Sequence, residues 1–356
     1  MGANISSAQR LELAAVRQHS RTWKTTCFWV FLEDCCAKLE KLANRYIWPS
    51  VYLWAVCLAS ITKGTMFLFS EARIRLYGWL SLVSQILIVV TGGAVRLTGS
   101  GLGCPTWPKC TNESLVTVPE QGIHGIIEFA NRLLTFVLVI IALLTFITVI
   151  RLGKQKRIGL VWPALSVGLG IFAQAVVGGI SVLTNLNPWV VGMHFVISAA
   201  LIAIASILLW RIYAVQHEPV PYRTYVLAPW NFAIGMITLL IGVVVTGAGP
   251  HAGDANAPRN GLELEALQHY HSYPAYVTLA LSVVIFFVLQ KIKDAEVLKL
   301  HKQISQWLVI ALVMQAILGI AQSRLGVPPL LVGLHMLGAS ILASLLTFQL
   351  LSIRAK

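Results

Sequence analysis

Charged residues are scarce in this chain. Asp, Glu, Lys and Arg together make 12% of 356 residues, only 14 are acidic, and 57% are hydrophobic. That balance excludes an ordinary soluble domain, because several apolar runs reach the roughly 20 residues that a helix needs to cross a bilayer. Apolar–polar alternation is missing from those runs as well. Only helices and closed barrels satisfy every backbone group in lipid, so its absence excludes a barrel and leaves an all-α polytopic membrane protein. A third absence is of runs broken at mid-membrane. Transporters with parallel repeats build their sites from such interrupted helices, which counts against that reading.

The apolar runs predict eight spans at about 76–96, 125–150, 160–183, 189–210, 228–248, 268–290, 305–323 and 329–351. A formal charge of +13 invites a nucleic-acid reading until the basic residues are sorted by loop. The 151–161, 211–227 and 291–304 loops and the C-terminal tail hold twelve of them: Arg151, Lys154, Lys156, Arg157, Arg211, Arg223, Lys291, Lys293, Lys299, Lys302, Arg354 and Lys356. The alternate loops hold four: Arg96, Lys109, Arg259 and Arg324. The imbalance places both ends of the eight-span core in the cytoplasm of a multi-pass cell-membrane protein whose surface meets lipid. The basicity is topology, and no nucleic-acid partner is expected.

Residues 1–75 stand apart as an N-terminal extension, interfacial or disordered, with ten Lys or Arg and a moderately apolar patch from Ile47 to Thr62 broken by Pro49. That patch is short for a ninth span, and Met66 is an alternative start. Of six cysteines, Cys104 and Cys110 flank a loop stiffened by two prolines on the outward, oxidising side. They form either a disulfide or two free thiols, since spacing alone does not fix the geometry.

The chain repeats itself. Gln174-Ala175, Gly178 and Val191-Gly192-Met193-His194 recur as Gln315-Ala316, Gly319 and Val332-Gly333-Leu334-His335, every matched position 141 residues apart. Glu128 and Asn131 lie 140 residues before Gln268 and His271, and Thr91-Gly92 answers Thr246-Gly247 at a different offset. Two tandem parallel four-helix units follow, 76–210 and 228–351, each with a pocket near the outward ends of its even-numbered helices.

A histidine inside an apolar span is costly and is a functional candidate by default. His271 and His335 sit at similar depth on different spans of one unit, which is how proteins cradle a haem iron between two imidazoles. The alternative is two unrelated histidines satisfied by backbone or hydroxyl groups. The first unit has His194 at matching depth, but Glu128, Asn131 and Arg132 stand opposite it. Glu128 and Asn131 share a helix face, and a desolvated carboxylate there suits proton handling. A structural Glu128–Arg132 pair at i, i+4 is the competing reading. His124 and His269 read as interfacial, and His251 as a loop histidine beside Asp254. Arg96 either meets a haem propionate or snorkels to the interface.

Taken together, Gly92-Gly93-Ala94-Val95-Arg96-Leu97-Thr98-Gly99-Ser100-Gly101-Leu102, the Cys104–Cys110 loop, Glu128-Phe129-Ala130-Asn131-Arg132, Gly192-Met193-His194, His271 with Ala275-Tyr276, and Gly333-Leu334-His335 resemble the haem A synthase family, particularly its actinobacterial form. The resemblance covers about residues 75–352. It implies a membrane oxidoreductase that converts the C8 methyl of haem O to the formyl group of haem A for cytochrome c oxidase biogenesis. It also implies a haem b cofactor on His271 and His335, substrate haem O near His194, Glu128 as the catalytic residue, and a disulfide in the outward loop. Asn131, Arg132 and Arg96 would complete the haem surroundings. Molecular oxygen and an external electron donor are required, and a haem O synthase and the oxidase assembly machinery are the implied partners. Association into a homo-oligomer is left open.

One departure stands out. The family pattern usually reads Glu-x-x-His-Arg, and this chain has Asn131 in the histidine slot, which leaves His194 as the one strong iron ligand of its unit. A dihaem electron carrier serving a quinone is the alternative function, against which the asymmetry of the two units argues.

Overall fold

The computed structural model describes residues 69–213, 222–292 and 298–353. The apolar patch at 47–62 and the Met66 start lie outside the described residues. Eight long helices carry the rest: α1 Ile74–Leu97, α2 Gly122–Arg151, α3 Val161–Leu183, α4 Pro188–Ile212, α5 Tyr222–Ala248, α6 Leu264–Gln290, α7 Lys299–Arg324 and α8 Pro329–Ile353. No strand occurs among the described residues. All eight helices are long and apolar enough to cross a membrane, and the chain is a multi-pass membrane protein. Their outward faces fit that medium. Phe136, Phe172, Phe287 and Trp307 are exposed, a surface that lipid tolerates and water does not.

Six of the eight helices begin within four residues of where the apolar runs predict. α5 and α7 each begin six residues early, at Tyr222 and Lys299. In both, the first turns carry polar residues that end the apolar run while the backbone stays helical.

The helices close into two rings by contact. α1 packs on α2 and α4, α2 on α3, and α3 on α4; α5 packs on α6 and α8, α6 on α7, and α7 on α8. α8 meets α1 and α4 along a seam, and α4 meets α5. The first ring shares a core of Leu82, Val89, Leu138, Ala142, Val167, Ile171, Ile202 and Leu209, reached from across the seam by Ala343. The second is filled by Ile285, Leu289, Leu308, Leu312 and Leu346 with Ala228 and Ile353.

Two hairpins are built alike at the 141-residue spacing. Asn185 and Leu186 turn the chain between α3 and α4 with φ of 51° and 59°; Gly326 and Val327 turn it between α7 and α8 with φ of 73° and 61°. Leu186 N–H donates to the Ser181 carbonyl at 2.7 Å, and Val327 N–H donates to the Gln322 carbonyl at 2.7 Å. Each following helix opens on a proline, Pro188 or Pro329, at the position where a missing N–H costs nothing. Left-handed backbone is strained for leucine and valine. Its presence at both turns sets the same entry angle for α4 and α8, and with it the same depth for the histidine that follows.

The rings differ in their inner halves. In the second, Asn231 of α5 donates to Ser282 Oγ of α6 at 2.9 Å and to Gln349 Oε1 of α8 at 2.7 Å, and Gln349 reaches Ser305 Oγ of α7 at 3.4 Å. All four side chains are buried. Leu208 and Ala164 stand where Gln349 and Ser305 would fall 141 residues earlier, so the first ring lacks this four-helix network and has a buried Ser81–Thr145 hydroxyl pair, 3.1 Å apart, between α1 and α2.

Candidate functional site

The histidines lie at the opposite end from that polar layer. His271 is the eighth residue of α6 and His335 the seventh of α8, so a rise of 1.5 Å per residue puts both about 10 Å below the helix starts. Their ring centroids are 6.3 Å apart with the planes crossed at 70°. His271 Nδ1 lies 2.9 Å from the Thr238 carbonyl of α5. A carbonyl only accepts, so Nδ1 carries the proton and Nε2 keeps its lone pair.

Glycines make room for both rings. A Cβ at Gly242 of α5 would come 2.9 Å from His271 Cε1, and one at Gly319 of α7 would come 3.5 Å from His335 Cε1. Gly242, not Gly247, is therefore the α5 glycine that faces the histidine slot, while Gly247 packs against Asn260 and Pro188.

The pair fits one metal between two imidazoles. A metal–imidazole bond is about 2 Å, so two such bonds in line, with half the width of each ring, separate the centroids by about 6 Å, close to what is seen. The donor set, two neutral nitrogens with no carboxylate or thiolate, is that of a six-coordinate haem iron. Among the described residues no group of three or more His, Cys, Asp or Glu side chains could hold a metal ion alone, so two ligands on a planar macrocycle suit this site better than a protein-only cage.

The cytochrome oxidase assembly protein model named COX15-CtaA matches residues 75–347. The chain belongs to the COX15-CtaA family. Among its curated relatives is the heme A synthase of Staphylococcus epidermidis, 28% identical over 242 residues, which span 62% of this chain and 76% of that one. The heme A synthase of Halalkalibacterium halodurans is 28% identical over 174 residues, 46% of this chain and 57% of its own. That of Lysinibacillus sphaericus is 37% identical over 129 residues, 36% of this chain and 40% of its own.

In this COX15-CtaA chain the first ring presents a different constellation. His194 is the seventh residue of α4, and a Cβ at Gly178 of α3 would approach its Cε1 at 3.1 Å. On α2, Asn131 takes a 2.8 Å hydrogen bond on Oδ1 from Thr91 Oγ1 of α1. Its remaining amide nitrogen has no lone pair to offer a metal. Contact with Asn131 comes from Gly92, so the two slots are related by 150 residues on α1 and α5.

Glu128 is buried and both its oxygens are engaged. Oε1 accepts from Arg132 Nη2 at 2.5 Å and Nε at 3.1 Å, and Oε2 accepts from the Cys104 N–H at 2.6 Å. Arg132 also donates to the carbonyls of Cys104, Thr106 and Lys109. The i, i+4 pair is thus formed, and it holds the loop between α1 and α2 down. That loop is closed by a Cys104–Cys110 disulfide. A carboxylate offers about four lone-pair sites, three of which are taken, so one acceptor site on Oε2 remains.

The other candidates find protein partners. Arg96 donates to the Thr246 carbonyl at 2.6 Å and to the His251 carbonyl at 2.5 Å, tying the end of α1 to the loop after α5. His251 Nε2 lies 2.9 Å from the Val327 carbonyl, and His124 Nδ1 lies 2.8 Å from Ser100 Oγ. His269 is exposed. Sequence reasoning missed Thr238, Gly242 and Thr91. A backbone acceptor leaves no trace in the sequence, but the glycines one helix away from each histidine could have been sought as space for a ring.

An apolar cleft of about 300 Å³ runs between α4 and α5, lined by Trp189, Gly192, Met193, Leu240, Val243 and Asn260 among others. Trp189 and Met193 are exposed at its mouth, and Met193 directly precedes His194.

Proposed function

We propose that this chain makes haem A, as the name heme A synthase says of its relatives, and that it does so by oxidising the C8 methyl of haem O to the formyl group, with two haem sites of unequal role. The observation that carries the reading is the inequality of the rings: two facing imidazoles in one, and in the other a single imidazole, His194, with Asn131 in the slot that matches His271 and a buried carboxylate, Glu128, one turn away from Asn131 on the same helix. A carrier that only passes electrons gains nothing from losing an iron ligand, whereas an enzyme needs room at the substrate.

His271 and His335 hold a haem b in the 228–351 unit, and that group supplies one-electron transfer from an external donor. Thr238 fixes the His271 tautomer so that Nε2 faces the iron. His194 holds haem O in the 76–210 unit, and the cleft between α4 and α5 gives a lipid-soluble substrate a way in from the membrane. Asn131, held by Thr91, would offer the substrate's iron no strong ligand from the slot that matches His271. Glu128 accepts a hydrogen bond from water or a hydroxyl at its open Oε2 site while Arg132 and the Cys104 N–H hold it still. Arg96 keeps the two units in register and has Nη1 left for a propionate.

The conversion takes two hydroxylations. Each uses one O₂, two electrons and two protons, puts one oxygen atom on the methyl carbon and releases one water. The resulting geminal diol loses water to give the aldehyde. The charge bias of the loops supports a cell-membrane orientation with the haem end outside and both ends of the eight-helix core on the cytoplasmic side. A haem O synthase supplies the substrate, and the product serves cytochrome c oxidase assembly.

The test is extraction of the haems from protein purified from cells that supply haem O. The reading requires haem A and haem b from the natural chain and haem b without haem A from Glu128→Ala. Haem b alone from the natural chain, with oxygen and reductant present, makes the protein an electron carrier.

A further inference from the structure

The repeated Gln-x-x-x-Gly motif on α3 and α7 is not used by any step above, yet it makes the same contact twice. Gln174 Nε2 donates to the backbone carbonyl of His194 at 2.9 Å, and Gln315 Nε2 donates to the backbone carbonyl of His335 at 2.9 Å. One turn further along the same helix faces, Gly178 and Gly319 receive the two imidazoles. Gln and Gly at i and i+4 share one face, so each motif grips the histidine turn of the next helix at two points: its backbone and its ring.

We propose that Gln174 and Gln315 are positioning residues that set the axial placement of His194 and His335. The inference rests on the reading of these histidines as iron ligands. His271 is oriented through its own ring, by the Thr238 carbonyl. His194 and His335 have no such hold, since the Nδ1 atoms of both are buried without a hydrogen-bond partner. Their orientation is therefore set by the backbone they hang from and the space beside the ring. A helical carbonyl has two lone pairs and spends one on the N–H four residues on. The glutamine takes the second, which pins the turn without breaking the helix.

The packing around Gln315 makes the clamp specific. A Cβ at Gly338 would come 2.6 Å from Gln315 Cδ, so α8 keeps a glycine one turn beyond His335 where the amide lies. In the first ring Ile197 stands at the position of Gly338, and the next residue, Ser198, adds a hydroxyl to the clamp. Ser198 Oγ both meets Gln174 Nε2 and donates to the His194 carbonyl at 3.1 Å.

The experiment uses the full-length natural chain and the Gln315→Leu, Gln315→Glu, Gly338→Ala and Gln174→Leu variants. Leucine keeps most of the bulk of glutamine but has no donor, glutamate donates to the carbonyl only in its protonated form, and Gly338→Ala displaces the clamp without altering it. Two readouts are taken: the low-spin EPR signal and midpoint potential of the haem on His271 and His335, and backbone amide exchange over residues 332–340.

The three variants at 315 and 338 should retain haem b with a shifted EPR signal and potential. Their amides at the His335 turn should exchange roughly five- to tenfold faster, the factor one lost hydrogen bond gives. Gln174→Leu should leave that EPR signal in place. Exchange and EPR superimposable on the natural chain in both Gln315→Leu and Gly338→Ala would overturn the clamp. A natural chain that binds no haem would overturn the iron-ligand reading instead, and exchange alone would then decide whether the glutamine holds the turn.

Discussion

At the scale of single residues, the site is defined by what each polar group already has. Glu128 is held by Arg132 and the Cys104 N–H, so its substitutions separate two roles. Glu128→Ala should abolish haem A formation and cost about 3 kcal/mol, the lower end for breaking a buried pair, because Arg132 keeps three carbonyl acceptors. Glu128→Gln can still accept from the Cys104 N–H and should keep most of the stability while losing the activity. Thermal unfolding beside haem extraction checks both. Gly103 makes a second case. A Cβ there would run into the carbonyl and backbone of His124, and backbone does not yield as a side-chain tip does. Gly103→Ala should displace the disulfide loop and expose Cys104–Cys110 to reductant, read as faster thiol labelling after mild reduction.

Legibility at this scale was uneven. His271, His335, His194 and Glu128 stood out because polar groups inside apolar runs are expensive. Arg96 did not reveal its partners. They are carbonyls about 150 residues away, and a backbone acceptor has no sequence signature. The Glu128–Arg132 pair was visible as an i, i+4 spacing, but the three loop carbonyls that complete it were not.

At the scale of elements, apolar run length fixes most helix bounds, since each span must cover the bilayer. It fails at α5 and α7, whose early turns from Tyr222 and Lys299 remain helical after the apolar run has given way to polar residues. The 141-residue spacing was readable for the histidines, and it extends into turn geometry that the residue types did not suggest: Asn185-Leu186 and Gly326-Val327 share no side-chain chemistry yet take the same left-handed path. The polar layer of Asn231, Ser282, Ser305 and Gln349 was missed altogether, because scattered Ser, Asn and Gln in spans have no period. It bonds all four helices of the second ring together, whereas the first ring has Leu208 and Ala164 at two of the matching positions and a Ser81–Thr145 hydroxyl pair between α1 and α2. Asn231→Leu strands Gln349 Oε1 and removes two hydrogen bonds, and should destabilise the protein by about 1–3 kcal/mol. Thermal melts in detergent would read it, with His271 and His335 spectroscopy unchanged because the layer lies at the other end of the helices.

At the scale of the whole molecule, two four-helix rings meet along a seam formed by α8, α1, α4 and α5, and one end carries every proposed haem ligand. The basic loops gather at the other end. Single cysteines placed at Lys154 and at Glu113, in a background whose native cysteines are left intact and counted as a baseline, should label from opposite sides of the membrane in whole cells. The Glu113 position should be reached by an impermeant maleimide and the Lys154 position should not.

The central claim is that one ring serves the chemistry of the other. It is tested most directly by supplying purified, reconstituted protein with haem O, oxygen and reductant and following the extracted porphyrin by mass spectrometry over time. An alcohol should appear and decay into the aldehyde, with neither product formed by Glu128→Ala or by His335→Ala. Haem O recovered unchanged, while the haem on His271 and His335 cycles between its reduced and oxidised forms, would contradict it.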